Sequence, residues 1–233
     1  MDSAALLDPF ERLLADYREG NLGDAVEAAG YFKLLVPEAQ GGAGLTLAGA
    51  EPLFRALGRH AASGEIANGM LKRVLVNADV PVELAAVVAA VQIAGAGETL
   101  LDMTIAYTNQ RVQFGKAIAR QQAVQHQLAI MAEQVMLARI AGQLGCANGL
   151  SPGIGQAGVA KQIASAAVPA ITGVAHALHG AIGITRDFAL HRYVRHMHDL
   201  RVAHGSETYW ATRLGKARLD HGEVPSLDFI RDR

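Results

Sequence analysis

A single cysteine, Cys146, stands among 233 residues. That excludes an intrachain disulfide framework and a cysteine-based zinc site, and it points to a reducing compartment. Charge of one sign is also missing: 21 Lys and Arg stand against 22 Asp and Glu. With no excess to attract them, neither nucleic acid nor an anionic membrane is expected as a partner. The most apolar run, Leu84 to Gly97, is interrupted by Gln92 and falls short of the roughly 20 residues that span a bilayer. Residues Met1 to Phe10 carry acidic side chains and a proline, unlike the basic start and apolar centre of a secretion signal. A cytoplasmic, soluble protein is the expectation. Histidines do gather toward the C-terminus, but His196 and His198 point to different faces of a helix and no His-x-x-x-His with an adjacent glutamate occurs, so no metal site is expected.

What the chain does have is alanine, glycine and helical periodicity. Leu6, Leu7, Phe10, Leu13, Leu14 and Tyr17 recur at helical spacing and stop at Gly20. Asp24 is placed to cap a second short helix through Ala29. Pro37 and the cluster Gly41-Gly42-Ala43-Gly44 follow, without the lysine of a phosphate-binding loop, so a structural turn is expected. Thr46 is placed to cap a helix through His60, with Leu47, Ala50, Leu53, Phe54 and Leu57 on one face. Another helix covers Gly64 to Leu75, and Val76 to Pro81 reads as a linker.

Beyond the linker, helices are expected over Glu83 to Gln110, Gln121 to Leu144 and Gln156 to His179, with Pro169 kinking or dividing the last. Asp187 would cap a fourth through His198, and Ser206 a last one through Leu219. Gly222 to Arg233 reads as an extended tail able to cross to a partner chain. The fold class is therefore all-α: an N-terminal helical unit, residues 1–76, and a C-terminal four-helix bundle, residues 81–221, followed by the tail 222–233.

Arg111-Val112-Gln113-Phe114-Gly115-Lys116 joins the first two long helices. Gly115 allows the chain to reverse, and Phe114 is expected to bury its ring beside the reversal. Arg111, at a helix C-terminus, suits either ordinary capping or the clamping of a phosphate or carboxylate.

Tyr107-x-x-x-Arg111-x-x-Phe114-Gly115-Lys116, with Gln122 beyond it, resembles the motif that opens the C-terminal helical domain of the acyl-CoA dehydrogenase family. Leu178-His179-Gly180-Ala181-Ile182-Gly183 with Leu190-His191-Arg192-Tyr193 is similar to that family's glycine turn and following helix, and Leu34 to Leu45 looks like its N-terminal domain. The resemblance implies FAD as cofactor, contacted by Arg111, Phe114, Gln122, His179 and Gly180 and shared with a neighbouring subunit. It implies α,β-dehydrogenation of an acyl-CoA thioester. Two departures stand out. The β-rich middle domain of the family has only the linker in its place. The family's catalytic glutamate has no counterpart either: its usual position is His204, with Glu207 three residues on in a capping position, and its alternative position is Ala85, two residues from Glu83.

His204 and Glu207 are thus the candidate catalytic residues. The expected assembly is a homo-oligomer, or a hetero-oligomer with a full-length acyl-CoA dehydrogenase-like subunit. The alternative is a non-catalytic structural or interaction subunit of helical-bundle type. Trp210, the sole tryptophan, is expected at a subunit contact.

Overall fold

A computed structural model describes residues 3–16, 21–76, 78–186, 188–222, 225, 227 and 228. The protein is all-α. Helices α1 (Ser3–Asp16), α2 (Leu22–Ala28), α3 (Leu47–Arg59) and α4 (Gly64–Val74) precede α5 (Val82–Gln110), α6 (Gln122–Gly145), α7 (Ile154–His179), α8 (Leu190–Val202) and α9 (Glu207–Asp220). Strands occur, among the described residues, only as the two-residue pair β1 (Val112–Gln113) and β2 (Lys116–Ala117) between α5 and α6. Between Leu75 and Pro81 no described residue is in a strand.

Helix α5 is apolar on all sides because it is the axis of the molecule: α3, α6, α7 and α8 all pack on it. By length and composition α5 and the stretch 154–184 can each cross a bilayer, which corrects the expectation from the shorter run Leu84 to Gly97. The apolar window of α5 is 83% buried inside the protein, and that of the second stretch 39%.

The N-terminal helices are joined to the bundle by close backbone contact. A Cβ on Gly58 of α3 would lie 2.0 Å from the Gln92 carbonyl oxygen, and one on Gly95 of α5 would lie 2.0 Å from that of Arg55. Only glycine on both sides allows this crossing. Arg55 and Arg59 then reach from α3 to Glu98 on α5, at 3.0 and 3.2 Å. One continuous core runs from Phe10 through Phe54 and Ile93 to Trp210.

Several local expectations change. The second helix is capped by Asn21, whose side chain accepts from the Gly23 amide, while Asp24 lies inside the first turn. Helix α7 runs through Pro169 undivided. Helix α8 starts after Ala189 and continues to Val202, past His198, whereas Asp187 and Tyr17 to Gly20 lie outside the described residues. Ser206 caps α9 as expected, accepting from the Tyr209 amide. Most of the tail also lies outside the described residues, but Leu227 sits beside Leu144 and Val159 at the far ends of α6 and α7. Trp210 is fully buried and its Nε1 donates to the His204 carbonyl at 3.0 Å. The ring's N–H finds its partner inside the chain, so the sole tryptophan belongs to the core and not to a subunit contact.

Candidate functional site

The C-terminal end of α5, the β1–β2 turn, the start of α6 and the end of α7 meet at one end of the bundle. Tyr107, one helical turn before Arg111, ties them together. Its ring stacks on His179 at 4.5 Å, its hydroxyl donates to the His179 carbonyl at 3.4 Å, and Phe188 closes on both rings. The Arg111 amide donates to the Tyr107 carbonyl at 2.8 Å, and the Arg111 carbonyl accepts from Ile118 at 2.9 Å. Arg111 is therefore held at the helix end, where its side chain is exposed and makes no ion pair among the described residues.

Phe114 and Gly115 form the tip of the two-residue hairpin loop, with φ of 52° and 77°. Both values are left-handed, which is what a tight hairpin of this twist demands. Because the loop projects, the Phe114 ring is 90% exposed, not buried beside the reversal. Gln122 is exposed at the first position of α6. His179 is buried, its Nδ1 within 2.8 Å of the Ala175 carbonyl. That bond puts the proton on Nδ1 and leaves Nε2 as an acceptor, which has no partner. Burial holds the ring's pKa below the usual histidine range, against the Ala175 bond that favours the charged form. Gly180 follows with φ of 61° and open space at its α-carbon.

A separate cleft of about 260 Å³ opens between α4, α5 and the end of α8. Its walls include Ala85 and His204 together, alongside Val88, Gln92, Leu200 and Glu65. The two positions singled out in sequence as alternative places for a base thus face one space, and neither holds a carboxylate. Glu83 is turned away into an ion pair with Arg213 at 2.8 Å. Glu207 is bonded to Arg201, with one contact at 3.1 Å. That bond, first among the causes, holds the Glu207 carboxyl below the usual carboxylate range, the reverse of the shift a base working near neutrality needs.

His204 stands at the cleft with φ of 57°. Packing around the ring, and then the Lys161 ammonium, push its pKa down. Lys161 is fully buried and donates to Ser165 Oγ, the Arg201 carbonyl and the Gly205 carbonyl at 2.8, 2.8 and 2.9 Å. With Trp210 on the His204 carbonyl, both carbonyls of the turn are fixed.

Sequence reasoning passed over Lys161 and Glu65, and treated Gln92 only as a break in an apolar run and Tyr107 only as part of a motif. The one available signal was a lone lysine in an alanine-rich helix and a lone amide in an apolar run, each a residue type seldom buried without a partner.

This bundle and hairpin define a helical domain of the acyl-CoA dehydrogenase type. The family profile described as acyl-CoA dehydrogenase, C-terminal domain, matches residues 81–218. The chain belongs to the acyl-CoA dehydrogenase family. It is 34% identical over 116 residues to the acyl-CoA dehydrogenase IpdE2 of Mycolicibacterium smegmatis, a match covering 50% of this chain and 36% of that one. It is 33% identical over 126 residues to the 3-sulfinopropanoyl-CoA desulfinase of Paraburkholderia xenovorans, covering 54% and 32%. The matched part spans about a third of the length of these curated relatives. Among solved structures, the steroid acyl-CoA dehydrogenase Tcur3481-Tcur3483 superposes with a TM-score of 0.81 at 18% identity, covering 95% of this chain and 99% of that one. At that identity the likeness is one of fold.

Proposed function

We propose that this chain is an oxidoreductase subunit that presents one face to FAD and one wall to an acyl-CoA thioester, and that a second subunit completes both. The observation that carries this reading is the hairpin end, where an arginine without an ion pair, an exposed phenylalanine and a buried imidazole nitrogen without a partner stand together. These groups fit the flavin dinucleotide. The Arg111 guanidinium suits its pyrophosphate, the Gln122 amide a neutral polar edge, and His179 Nε2 a hydroxyl donor. Phe114 covers an apolar face, and Gly180 lets backbone approach closely. FAD, when bound, supplies the acceptor for the β-hydrogen in α,β-dehydrogenation.

The chain's own residues shape the thioester side. Ala85, Val88 and Leu200 offer an apolar wall. His204 stands at the same wall, but burial and the Lys161 ammonium lower its pKa, which weakens it as a base. Glu207 keeps Arg201 in place at the turn, which suits a structural role. The carboxylate base then comes from a full-length acyl-CoA dehydrogenase-like partner, in a cytoplasmic hetero-oligomer. Homo-oligomers would leave the cleft without one at either family position.

That same vacancy favours the second reading, a non-catalytic structural or interaction subunit. The visible spectrum of the purified protein separates the two. Flavin bands are expected when the chain is co-purified with such a partner, and a colourless complex sinks the enzymatic reading.

A further inference from the structure

Helix α6 buries one face against α5 and α7 and leaves the other to solvent. The solvent face of a helix is ordinarily charged. From Met136 to Leu144 this one is not: its exposed positions are Met136, Leu137, Ile140, Gln143 and Leu144, with Met136 50% and Leu144 61% exposed. Arg139 reaches aside to Glu98 at 3.6 Å, and the next charge along the exposed face, Glu133, comes almost one turn before Met136. No residue of this face lines the cleft between α4, α5 and α8. About 21 Å of helix separates Met136 from Gln122 at the hairpin end. The face is therefore distinct from the surfaces assigned to cofactor and thioester.

Beside Leu144 the face opens into a groove of about 390 Å³, lined by the small residues Ala141, Gly145 and Ala147 and by Val159 of α7. Leu227 of the tail stands at its rim, 75% exposed, and leaves that volume open. Knob and hole thus lie on one helix, displaced in opposite directions from Ile140: Met136 is four residues before it, and Leu144, at the groove, four residues after. A two-fold axis through Ile140 that runs a second α6 antiparallel to the first sets each Met136 level with the other copy's groove. Such a surface carries its own complement. Lacking charge, it also meets no repulsion from an identical copy. Its four apolar side chains, about half exposed, present roughly 400 Å². The groove walls and the rim at Gln143 and Asn148 carry it toward the about 600 Å² per partner at which stable interfaces begin.

We infer that the outer face of α6 pairs with the same face of a second copy of this chain, two-fold about Ile140. The pairing is independent of the flavin reading, because the contact is made by this chain alone, with or without cofactor. Sedimentation equilibrium of the full chain tests it, and twice the chain mass of 24.5 kDa is expected. Ile140→Glu, which sets two carboxylates against each other on the axis, is expected to weaken association about a hundredfold with an unchanged circular dichroism spectrum. Ile140→Cys is expected to cross-link the two copies on mild oxidation, whereas Ile130→Cys, ten residues off the axis, is not. The buried Cys146 gives no background.

A chain that stays monomeric overturns the inference. So does one that pairs only after residues 223–233 are removed, since the tail then holds the groove. A dimer indifferent to Ile140→Glu, or one cross-linked at position 130 and not at 140, overturns it as well. If the chain alone is monomeric and Ile140→Glu instead releases a full-length partner, the face belongs to that partner. The mass of the unaltered chain and the cross-link decide the matter if Ile140→Glu does not fold.

Discussion

At the end of the bundle where α8 turns into α9, the polar groups that hold the turn are bonded within the chain. Lys161 has three acceptors, the His204 carbonyl has Trp210, and Arg201 has Glu207. At the opposite end, where α5 turns into α6, the pattern reverses. Phe114 is 90% and Ile184 75% exposed, Arg111 makes no ion pair, and His176 Nδ1 and His179 Nε2 are buried without partners. The same chain saturates one turn and leaves the other open. Internal bonding is therefore concentrated at the first, and exposed or unpartnered side chains at the second.

The largest expected effect breaks the closed end. Lys161→Met leaves the Arg201 and Gly205 carbonyls and the Ser165 hydroxyl in an apolar interior without their donor, and about 3 kcal/mol of stability is expected to go. Urea unfolding measures it. A loss under about 1 kcal/mol would mean that the clamp is dispensable.

The dependence on pH comes next. Burial pushes Lys161 down to about 7 from 10.5, and His196 to about 4 from 6.5. In both cases the unfolded chain binds the proton more tightly, so stability rises with pH. For His196 that rise falls between about 4 and 6.5, and for Lys161 between about 7 and 10.5. Unfolding midpoints across this range read both windows, and Lys161→Met should flatten the alkaline one. An unaltered protein whose stability stays level between about pH 7 and 9, below the range where the Cys146 thiol, pushed up to about 12 from 9.0, acts in the opposite direction, would remove Lys161 from the account.

At the open end the signs change. Arg111→Ala and Phe114→Ser remove exposed side chains, so stability should move by less than about 0.5 kcal/mol. Flavin content after co-purification with a full-length partner is expected to fall sharply in both. Full flavin occupancy in either variant would close off that end as a cofactor surface.

The same contrast explains what the sequence disclosed. Helix α3 was legible because Leu47, Ala50, Leu53, Phe54 and Leu57 repeat the period of the face it buries. The hairpin was legible from Gly115. The fate of Phe114 was not: an aromatic ring beside a turn reads as buried, whereas the two-residue loop projects and carries this ring into solvent. Trp210 failed in the other direction, because the acceptor that lets it sit inside is the carbonyl of His204, a backbone atom that no side-chain pattern announces. Lys161 depends on carbonyls some 40 residues away, and Gln92 reads in sequence only as a break in an apolar run. Pairing positions Ala85 and His204 across one cleft likewise needed the antiparallel course of α5 and α8. Periodicity reports which face is buried, but the satisfaction of a buried polar atom is settled by tertiary neighbours.

The smallest effect sharpens the comparison most finely, because it falls on the residue that keeps the open end in shape. Tyr107→Phe removes a hydroxyl whose bond to the His179 carbonyl is long, 3.4 Å, and keeps the stacked ring. About 0.5 kcal/mol is the expected loss, with the His179 imidazole still titrating below its ordinary range. Tyr107→Leu removes the stack too and opens the imidazole to water. Since burial is what lowers the His179 pKa, its titration, followed by the NMR shift of the ring protons, should move back up toward 6.5. If the titration stays low in Tyr107→Leu, the ring is covered by something other than Tyr107, and the open end is less open than its exposed neighbours suggest.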